Sequence, residues 1–190
     1  MHDIRTTPGF VIAARPYGEA DKMLTIFTQD LGLVTATALG IRLEKSKLRY
    51  FAAEYSFGIF SLVRGKEFWR LTSAQPGIEM PRSSELIARV ALVLRRFLQG
   101  EEPHPELYGH MHSLAEFLGA SRALTTEQSN TLESLIVLRI MSALGYVGKV
   151  DELTQYLGQK DITHDLLEKL ADKRALMNKH INHALKESQL

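Results

Sequence analysis

A short run of cations is the part of the sequence best suited to chemistry with a polyanion. Arg42, Lys45, Lys47 and Arg49 stand within eight residues, and Glu44 is the one acid among them. Guanidinium and ammonium groups on a connector can contact phosphates and release the counterions that nucleic acid holds. The run is therefore a candidate phosphate-contacting site, and a solvated loop whose charges serve only solubility is the alternative.

A second, smaller basic turn lies beside aromatic residues. Arg64 and Lys66 come shortly before Phe68 and Trp69. Grooves that bind single-stranded nucleic acid use cations to hold the backbone and aromatic rings to stack on the bases. The pattern predicts a nucleic-acid contact at this turn, although Trp69 also suits a position in the core.

Histidine pairs and neighbouring acids give little support to a metal site or a catalytic centre. His180 and His183 would share a helix face, but no carboxylate completes a zinc-like set. Glu19 and Asp21 suit a solvated turn better than a catalytic pair. The sequence has no cysteine, no P-loop and no G-x-G-x-x-G, G-x-S-x-G or H-E-x-x-H motif. We therefore expect a non-enzymatic protein with no catalytic residues, no bound metal and no cofactor.

The overall composition is that of a charge-balanced globular chain. Of 190 residues, 24% are charged and 45% are hydrophobic, and the formal net charge is +1. With so small a net charge, nucleic acid would have to bind at a local patch. The segment from Met1 to Arg5 lacks the apolar stretch of a signal peptide, and no apolar run is long enough to span a bilayer. The expected location is the cytoplasm, without membrane contact.

The elements that position these residues change in character near Pro76, Gly77 and Pro81. Before this point short apolar runs alternate with glycines, and most of the aromatic residues of the chain fall here, as expected for strands. Five short strands suit a small closed barrel, and both an OB-fold and an SH3-like barrel fit the pattern. The predicted strands are Thr7–Arg15, Met23–Thr28, Leu33–Leu39, Tyr55–Val63 and Glu67–Ala74.

Beyond Pro81 the apolar residues recur at the spacing of helices. Ser83 or Ser84 is suited to cap the first helix, which we expect to end at Gly100. The prolines of segment 101–105 then predict a loop. The first two apolar helix faces consist of Leu86, Val90, Leu94 and Phe97, and of Leu107, Met111, Leu114 and Leu118.

The centre of the helical part is predicted to be a helix that is apolar over much of its circumference. Thr125 and Gln128 have the spacing of a capping box at its start, and Gly145 can close it. A short helical segment is expected near Asp151–Leu157. One last amphipathic helix is predicted from about His164 to Lys186.

Several runs of residues keep both the types and the spacing of a known family. Near the start these runs are Gly9 to Ile12, Arg15 to Lys22, Leu24 to Thr28, Leu31 to Leu33, Ala38 to Arg42 and Ser46 to Arg49. Later runs are Arg70 to Ala74, Leu138 to Met141, Leu144 to Tyr146, and Leu185-Lys186 with Ser188. With these runs the chain resembles the bacterial RecO family of DNA repair proteins over most of its length.

The resemblance implies an α+β fold in which a five-stranded OB-fold barrel (residues 1–79) precedes an all-helical domain (residues 80–190). It implies a non-enzymatic recombination mediator, associated with the nucleoid in the cytoplasm, that binds single- and double-stranded DNA and anneals strands. It also implies help in loading RecA onto strands coated by single-strand-binding protein, with RecR and the C-terminal tail of single-strand-binding protein as partners. The candidate DNA-binding residues are Arg42, Lys45, Lys47, Arg49, Arg64 and Lys66.

An alternative function is that of a protein-interaction adaptor with little DNA affinity of its own. Grooves between helices commonly accept partner peptides. An acidic tail that ends in an apolar residue would suit a groove edged by basic side chains. The other interpretation of such side chains is ordinary surface charge. The candidate partner-binding residues are Arg89, Arg95, Arg96 and Arg139.

One departure from the family is expected in the segment after the central helix. Many members carry a four-cysteine zinc module there, whereas this chain has no cysteine. Residues 147–165 are also too short to hold such an insert. We therefore expect a short form that lacks the module and binds no zinc.

Overall fold

The structure, a computed structural model, describes residues 3–79, 85–120, 123–148 and 150–188. All the predicted strands are confirmed, with ends that differ from the expected positions by three residues at most. A short helix, α1 (Leu48–Phe51), separates the third strand from the fourth. The strands are β1 (Ile4–Tyr17), β2 (Asp21–Thr28), β3 (Gly32–Ala38), β4 (Phe57–Arg64) and β5 (Trp69–Pro76).

The strands close into a barrel in the neighbour order β1-β2-β3-β5-β4. The pairs β1–β2, β2–β3, β4–β5 and β1–β4 are antiparallel, and the pair β3–β5 is parallel. A five-stranded barrel with this order is an OB-fold rather than an SH3-like barrel. The predicted fold class, an OB-fold barrel followed by helices, is confirmed.

Alternate residues of the strands fill the barrel, because successive side chains of a strand point to opposite faces. Leu24 and Ile26 of β2 and Val34 and Ala36 of β3 pack inside, and all four are completely buried. Trp69 belongs to the same cluster and is 7% exposed, so it is a core residue.

Six described helices follow the barrel. The third of them is buried over most of its circumference, as predicted, and its capping box is confirmed. There the Gln128 amide donates to Thr125 Oγ1 at 3.2 Å, and the Thr125 amide donates to Gln128 Oε1 at 3.1 Å. The helices are α2 (Glu85–Phe97), α3 (Pro105–Ala120), α4 (Thr126–Ala143), α5 (Asp151–Leu157), α6 (His164–Ala171) and α7 (Arg174–Glu187).

Two helix predictions need correction. Helix α3 begins at Pro105, inside the predicted loop, since proline is well suited to the first turn, where its missing N–H is not needed. The single last helix is instead two helices, separated by a turn at Asp172 and Lys173. The predicted caps Ser83 and Ser84 lie outside the described residues.

The outer face of the barrel shares a hydrophobic core with the helices. Phe10 and Phe27 lie in one buried cluster with Leu94 of α2 and Tyr108 of α3. The rings of Phe27 and Tyr108 meet edge to face, with centroids 5.6 Å apart. The helices therefore cover the side of the barrel that carries Phe10 and Phe27. The predicted division after residue 79 stays a prediction, because residues 80–84 are not described.

Candidate nucleic-acid interface

The four clustered cations lie on a segment that the hairpin between β1 and β2 holds in place. The Asp21 carboxylate accepts a hydrogen bond from the Gly40 amide at 2.7 Å, and the Arg42 amide donates to the Ala20 carbonyl at 2.9 Å. Gly40 has φ +64°, a backbone conformation that suits glycine. The basic segment, which we define as residues 42–49, is therefore anchored at its start.

All four basic side chains of this segment are exposed. Arg42 donates from Nη1 to the Gly18 carbonyl at 3.3 Å. Arg49 donates from Nη2 to the Tyr50 hydroxyl at 2.7 Å, and its guanidinium carbon lies 4.7 Å from the centroid of that ring. In the part of the chain that the structure describes, no ion pair includes Arg42, Lys45, Lys47 or Arg49. Their charges thus face solvent, with no carboxylate at ion-pair distance among the described residues.

Strand register places two further cations on the outer face of the barrel. Arg15 lies opposite Met23, Met23 lies opposite Thr37, and Thr37 pairs with Arg70 across the parallel seam. Residues directly opposite each other share a face, so the four form one row across β1, β2, β3 and β5. Arg15 and Arg70 are both exposed, and neither forms an ion pair within the described ranges.

Sequence reasoning missed Arg15 and Arg70 because they are isolated cations rather than members of a cluster. The local signal was present at Arg70, which stands between the two core residues Trp69 and Leu71 and must therefore point outward. Placing it beside Thr37 requires the pairing of β3 with β5, which the sequence pattern does not give.

The second basic turn joins β4 to β5. Arg64 ends β4, and its guanidinium carbon lies 5.0 Å from the centroid of the Trp69 ring. The guanidinium also donates from Nη1 to Glu101 Oε1 at 2.6 Å and contacts Glu101 Oε2. Lys66 is exposed, and Phe68 is 37% exposed. Of the two aromatic residues predicted here, only Phe68 presents a ring to solvent.

Three of the four candidate partner-binding arginines lie at the surface of α2. Arg89 donates from Nε to Glu133 at 2.8 Å and from Nη1 to Glu85 at 3.1 Å, and the hydrogen bond to Glu133 raises its pKa. Arg95 and Arg96 are exposed. The guanidinium carbon of Arg96 lies 5.4 Å from the centroid of the Phe97 ring.

Arg139 is not at the edge of a surface groove, which corrects the prediction for this residue. Its side chain is completely buried, because Arg139 lies in the middle of α4, the helix that is buried over most of its circumference. Nε and Nη2 donate to the Tyr156 carbonyl at 3.1 and 2.7 Å, and Nη1 has no hydrogen-bond partner among the described residues. Burial lowers the pKa of Arg139 to about 10.

His110 is a second buried basic group in the helical part. It is 3% exposed, and burial lowers its pKa to about 4, with Arg139 and Lys160 adding repulsion. Within the described ranges, no three His, Asp or Glu side chains come together as metal ligands. No helix in those ranges is both long and apolar enough to cross a membrane.

Comparison with known proteins relates the chain to one family. Residues 1–77 match the family model described as the N-terminal part of recombination protein O. The DNA repair protein RecO of Alkaliphilus metalliredigens is 28% identical over 148 residues, which are 78% of this chain and 60% of that protein. RecO of Desulfitobacterium hafniense is 28% identical over 154 residues, 76% of this chain and 53% of that protein. RecO of Clostridium perfringens is 31% identical over 146 residues, 74% of this chain and 56% of that protein.

The matches are longer than the barrel, so they extend into the helices. The chain spans little more than half the length of these curated relatives. The N-terminal 77 residues are thus similar to the N-terminal part of recombination protein O, and the similarity to RecO proteins continues into the helices behind them.

Proposed function

We propose that this chain binds single- and double-stranded DNA without regard to sequence and serves DNA repair and recombination as a non-enzymatic mediator. The observation that carries the proposal is the set of exposed cations on the outer face of the barrel. Arg15 and Arg70 stand in one row across the strands, and the basic segment lies against the adjoining hairpin through the contact of Arg42 with Gly18. In OB-folds the face of the second and third strands and the loops around it commonly bind oligonucleotides.

Chemically, this surface offers two kinds of contact. The guanidinium and ammonium groups can neutralise phosphates, and that interaction does not depend on base identity. Three aromatic side chains close to these cations in the sequence are partly exposed: Tyr17 (45%), Tyr50 (53%) and Phe68 (37%). Rings of this kind stack on unpaired bases and tolerate any sequence.

Removing the charge of the basic segment tests the proposal. The triple variant Lys45→Ala, Lys47→Ala and Arg49→Ala should bind a mixed-sequence single strand about 10- to 100-fold more weakly at low salt, and the slope of log K against log salt should fall by about 2. Fluorescence anisotropy over a salt series measures both quantities.

A matched control removes three exposed cations from the helical part. The triple variant Lys160→Ala, Lys179→Ala and Lys186→Ala changes the net charge by the same amount at exposed positions in the helical part. This control should leave the salt slope unchanged. Equal binding by the wild type and the basic-segment variant would show that the interface is elsewhere.

The finer roles that the resemblance implies form part of the same proposal. They are strand annealing, help in loading RecA onto strands coated by single-strand-binding protein, and an interaction with RecR. Annealing of complementary strands coated by single-strand-binding protein tests them directly. The basic-segment variant should anneal strands more slowly than the helical control. Equal rates in the two variants would show that annealing does not depend on this surface.

A second function, as a protein-interaction adaptor, is favoured by the exposed face of α2. Leu92 is 59% exposed, and Arg95 and Arg96 follow at three and four residues along the same helix. Residues at these spacings share one face, so an apolar side chain and two basic side chains lie together. This combination suits an acidic peptide with an apolar end, such as the tail of single-strand-binding protein.

Calorimetry with a synthetic tail peptide tests the adaptor function. The double variant Arg95→Ala and Arg96→Ala should lose most of the binding heat. Lys179→Ala with Lys186→Ala serves as the control, because it removes two exposed cations from α7 instead of α2. Absence of heat with the wild-type chain would dismiss this function.

A further inference from the structure

The connector between α2 and α3 is fixed to the barrel through its backbone. The Leu33 amide donates to the Gly100 carbonyl at 3.0 Å, which ties the connector to the start of β3. The neighbouring Gly32 has φ +68°, and a Cβ added there would lie 2.3 Å from the Glu102 carbonyl oxygen and 2.5 Å from the Glu102 amide nitrogen. Only glycine allows this approach, so the position of Glu101 is set by main-chain contacts on both sides of it.

The fixed connector places the Glu101 carboxylate on Arg64. Both carboxylate oxygens contact Nη1, while the guanidinium lies over the Trp69 ring. The nearby cations Lys66 and Arg70 have no carboxylate partner in the described part of the chain, and Glu67 is the nearest acid in the sequence. Arg64 stacks on the Trp69 ring. It is therefore also the cation of this turn whose charge is neutralised by a carboxylate of the same chain.

We propose that Arg64, on the Trp69 ring, is a phosphate subsite that the chain occupies with its own Glu101 carboxylate. Carboxylates and phosphates are both oxyanions that accept paired hydrogen bonds from a guanidinium, so one can take the place of the other. The inference rests on the proposed DNA binding, and it names Glu101 as a residue that sets the affinity of that surface.

The exposure of the pair suits such an exchange. The side chains of Arg64 and Glu101 are 55% and 41% exposed, so a phosphate can reach the guanidinium from solvent. An ion pair in this setting contributes little stability and is readily displaced. DNA that engages the basic segment and the row of Arg15 and Arg70 must displace Glu101 before it gains Arg64 as well.

The test compares Glu101→Gln with Glu102→Gln. Both variants remove one negative charge at adjacent exposed positions, but the Glu102 side chain forms no ion pair in the described ranges. Glu101→Gln should bind a mixed-sequence single strand about two- to five-fold more tightly than the wild type at low salt. Glu102→Gln should bind within error of the wild type.

A double-variant cycle assigns the gain to the subsite. In an Arg64→Ala background, Glu101→Gln should produce no gain, because the guanidinium that it frees is absent. Thermal unfolding by circular dichroism checks that all four chains are folded.

Three results would overturn the assignment while the proposed function stands. These are unchanged binding in Glu101→Gln, an equal gain in both glutamine variants, or a gain that persists without Arg64. Failure of the wild type and every variant to bind DNA would remove the proposed function, and this assignment with it.

Discussion

The outer face of the barrel and the core of the helical part place arginine side chains in opposite surroundings. The barrel holds Arg15 and Arg70 on its outside, where water and phosphates can reach them. The helical part encloses Arg139 completely in the middle of α4. An exposed guanidinium keeps its hydration. A buried guanidinium loses that hydration free energy and must recover it through hydrogen bonds with the protein. Arg15 and Arg70 are therefore suited to recognition, whereas Arg139 is a structural element.

The contacts of Arg139 show what that structural element does. Two of its nitrogens donate to the carbonyl of Tyr156, in the last turn of α5. Carbonyls in the last turn of a helix lack partners within the helix and carry partial negative charge, so a cation is favourable there. Arg139 thereby joins α4 to α5 from within the core of the helical part.

The largest expected effect follows from removing this link. Arg139→Ala leaves the Tyr156 carbonyl without its donors and opens a cavity, so the free energy of unfolding should fall by about 3–5 kcal/mol. Urea unfolding followed by circular dichroism measures the change. Arg139→Met restores much of the volume and should lose less, while Arg89→Ala, at the surface, should lose under about 1 kcal/mol. A stable Arg139→Ala chain would remove the contrast between the two regions.

A second effect concerns the acid sensitivity of the helical part. The folded state holds the pKa of His110 at about 4, below the ordinary histidine value of 6.5. Unfolding therefore takes up a proton between these two pH values, so the contribution to stability is complete above pH 6.5 and is lost as the pH falls towards 4. The loss amounts to about 3 kcal/mol at most.

Glutamine variants of two neighbouring histidines isolate that effect. His110→Gln should show a flatter fall in stability between these pH values than the wild type, in urea titrations at a series of pH values. His112→Gln, whose side chain is 46% exposed, should keep the wild-type slope. Identical slopes in all three chains would show that His110 does not carry the acid sensitivity.

The smallest expected effect concerns Arg70, on the outer face of the barrel. Arg70→Ala should weaken binding of a mixed-sequence strand about three- to ten-fold and lower the salt slope by about 1, because one phosphate contact is lost. Its free energy of unfolding should stay within about 0.5 kcal/mol of the wild type, as expected for an exposed substitution. A large loss of stability in this variant would mean that the outer row, which consists of Arg15, Met23, Thr37 and Arg70, is structural as well.

The sequence identifies the barrel strands and the basic segment because both signals are local. Alternating apolar residues mark each strand, and the four clustered cations are visible as a run. The outer row is different, since it depends on the register of β3 and β5, which are separated by about thirty residues of chain. No local pattern encodes that pairing.

The helical part shows two further limits of sequence reasoning. Leu170 and Met177 are seven residues apart, which is close to two helical turns. The apolar stripe therefore keeps its phase across the turn between α6 and α7, and periodicity predicts one helix. Burial of Arg139 was missed because arginine is seldom enclosed. The apolar surroundings on every side of α4 were the signal that outweighs this preference.

The pairing of β3 with β5 rests on two residue pairs, Ala36 with Trp69 and Thr37 with Arg70, together with a 3.3 Å hydrogen bond from Thr37 Oγ1 to the Trp69 carbonyl. Every other junction of the barrel is several times longer. Local opening of the barrel should begin at this short seam. Backbone amides there should exchange with deuterium before those of β1 and β2. The outer row crosses the same seam. A bound DNA strand would therefore contact both β3 and β5 and hold together the shortest pairing of the barrel.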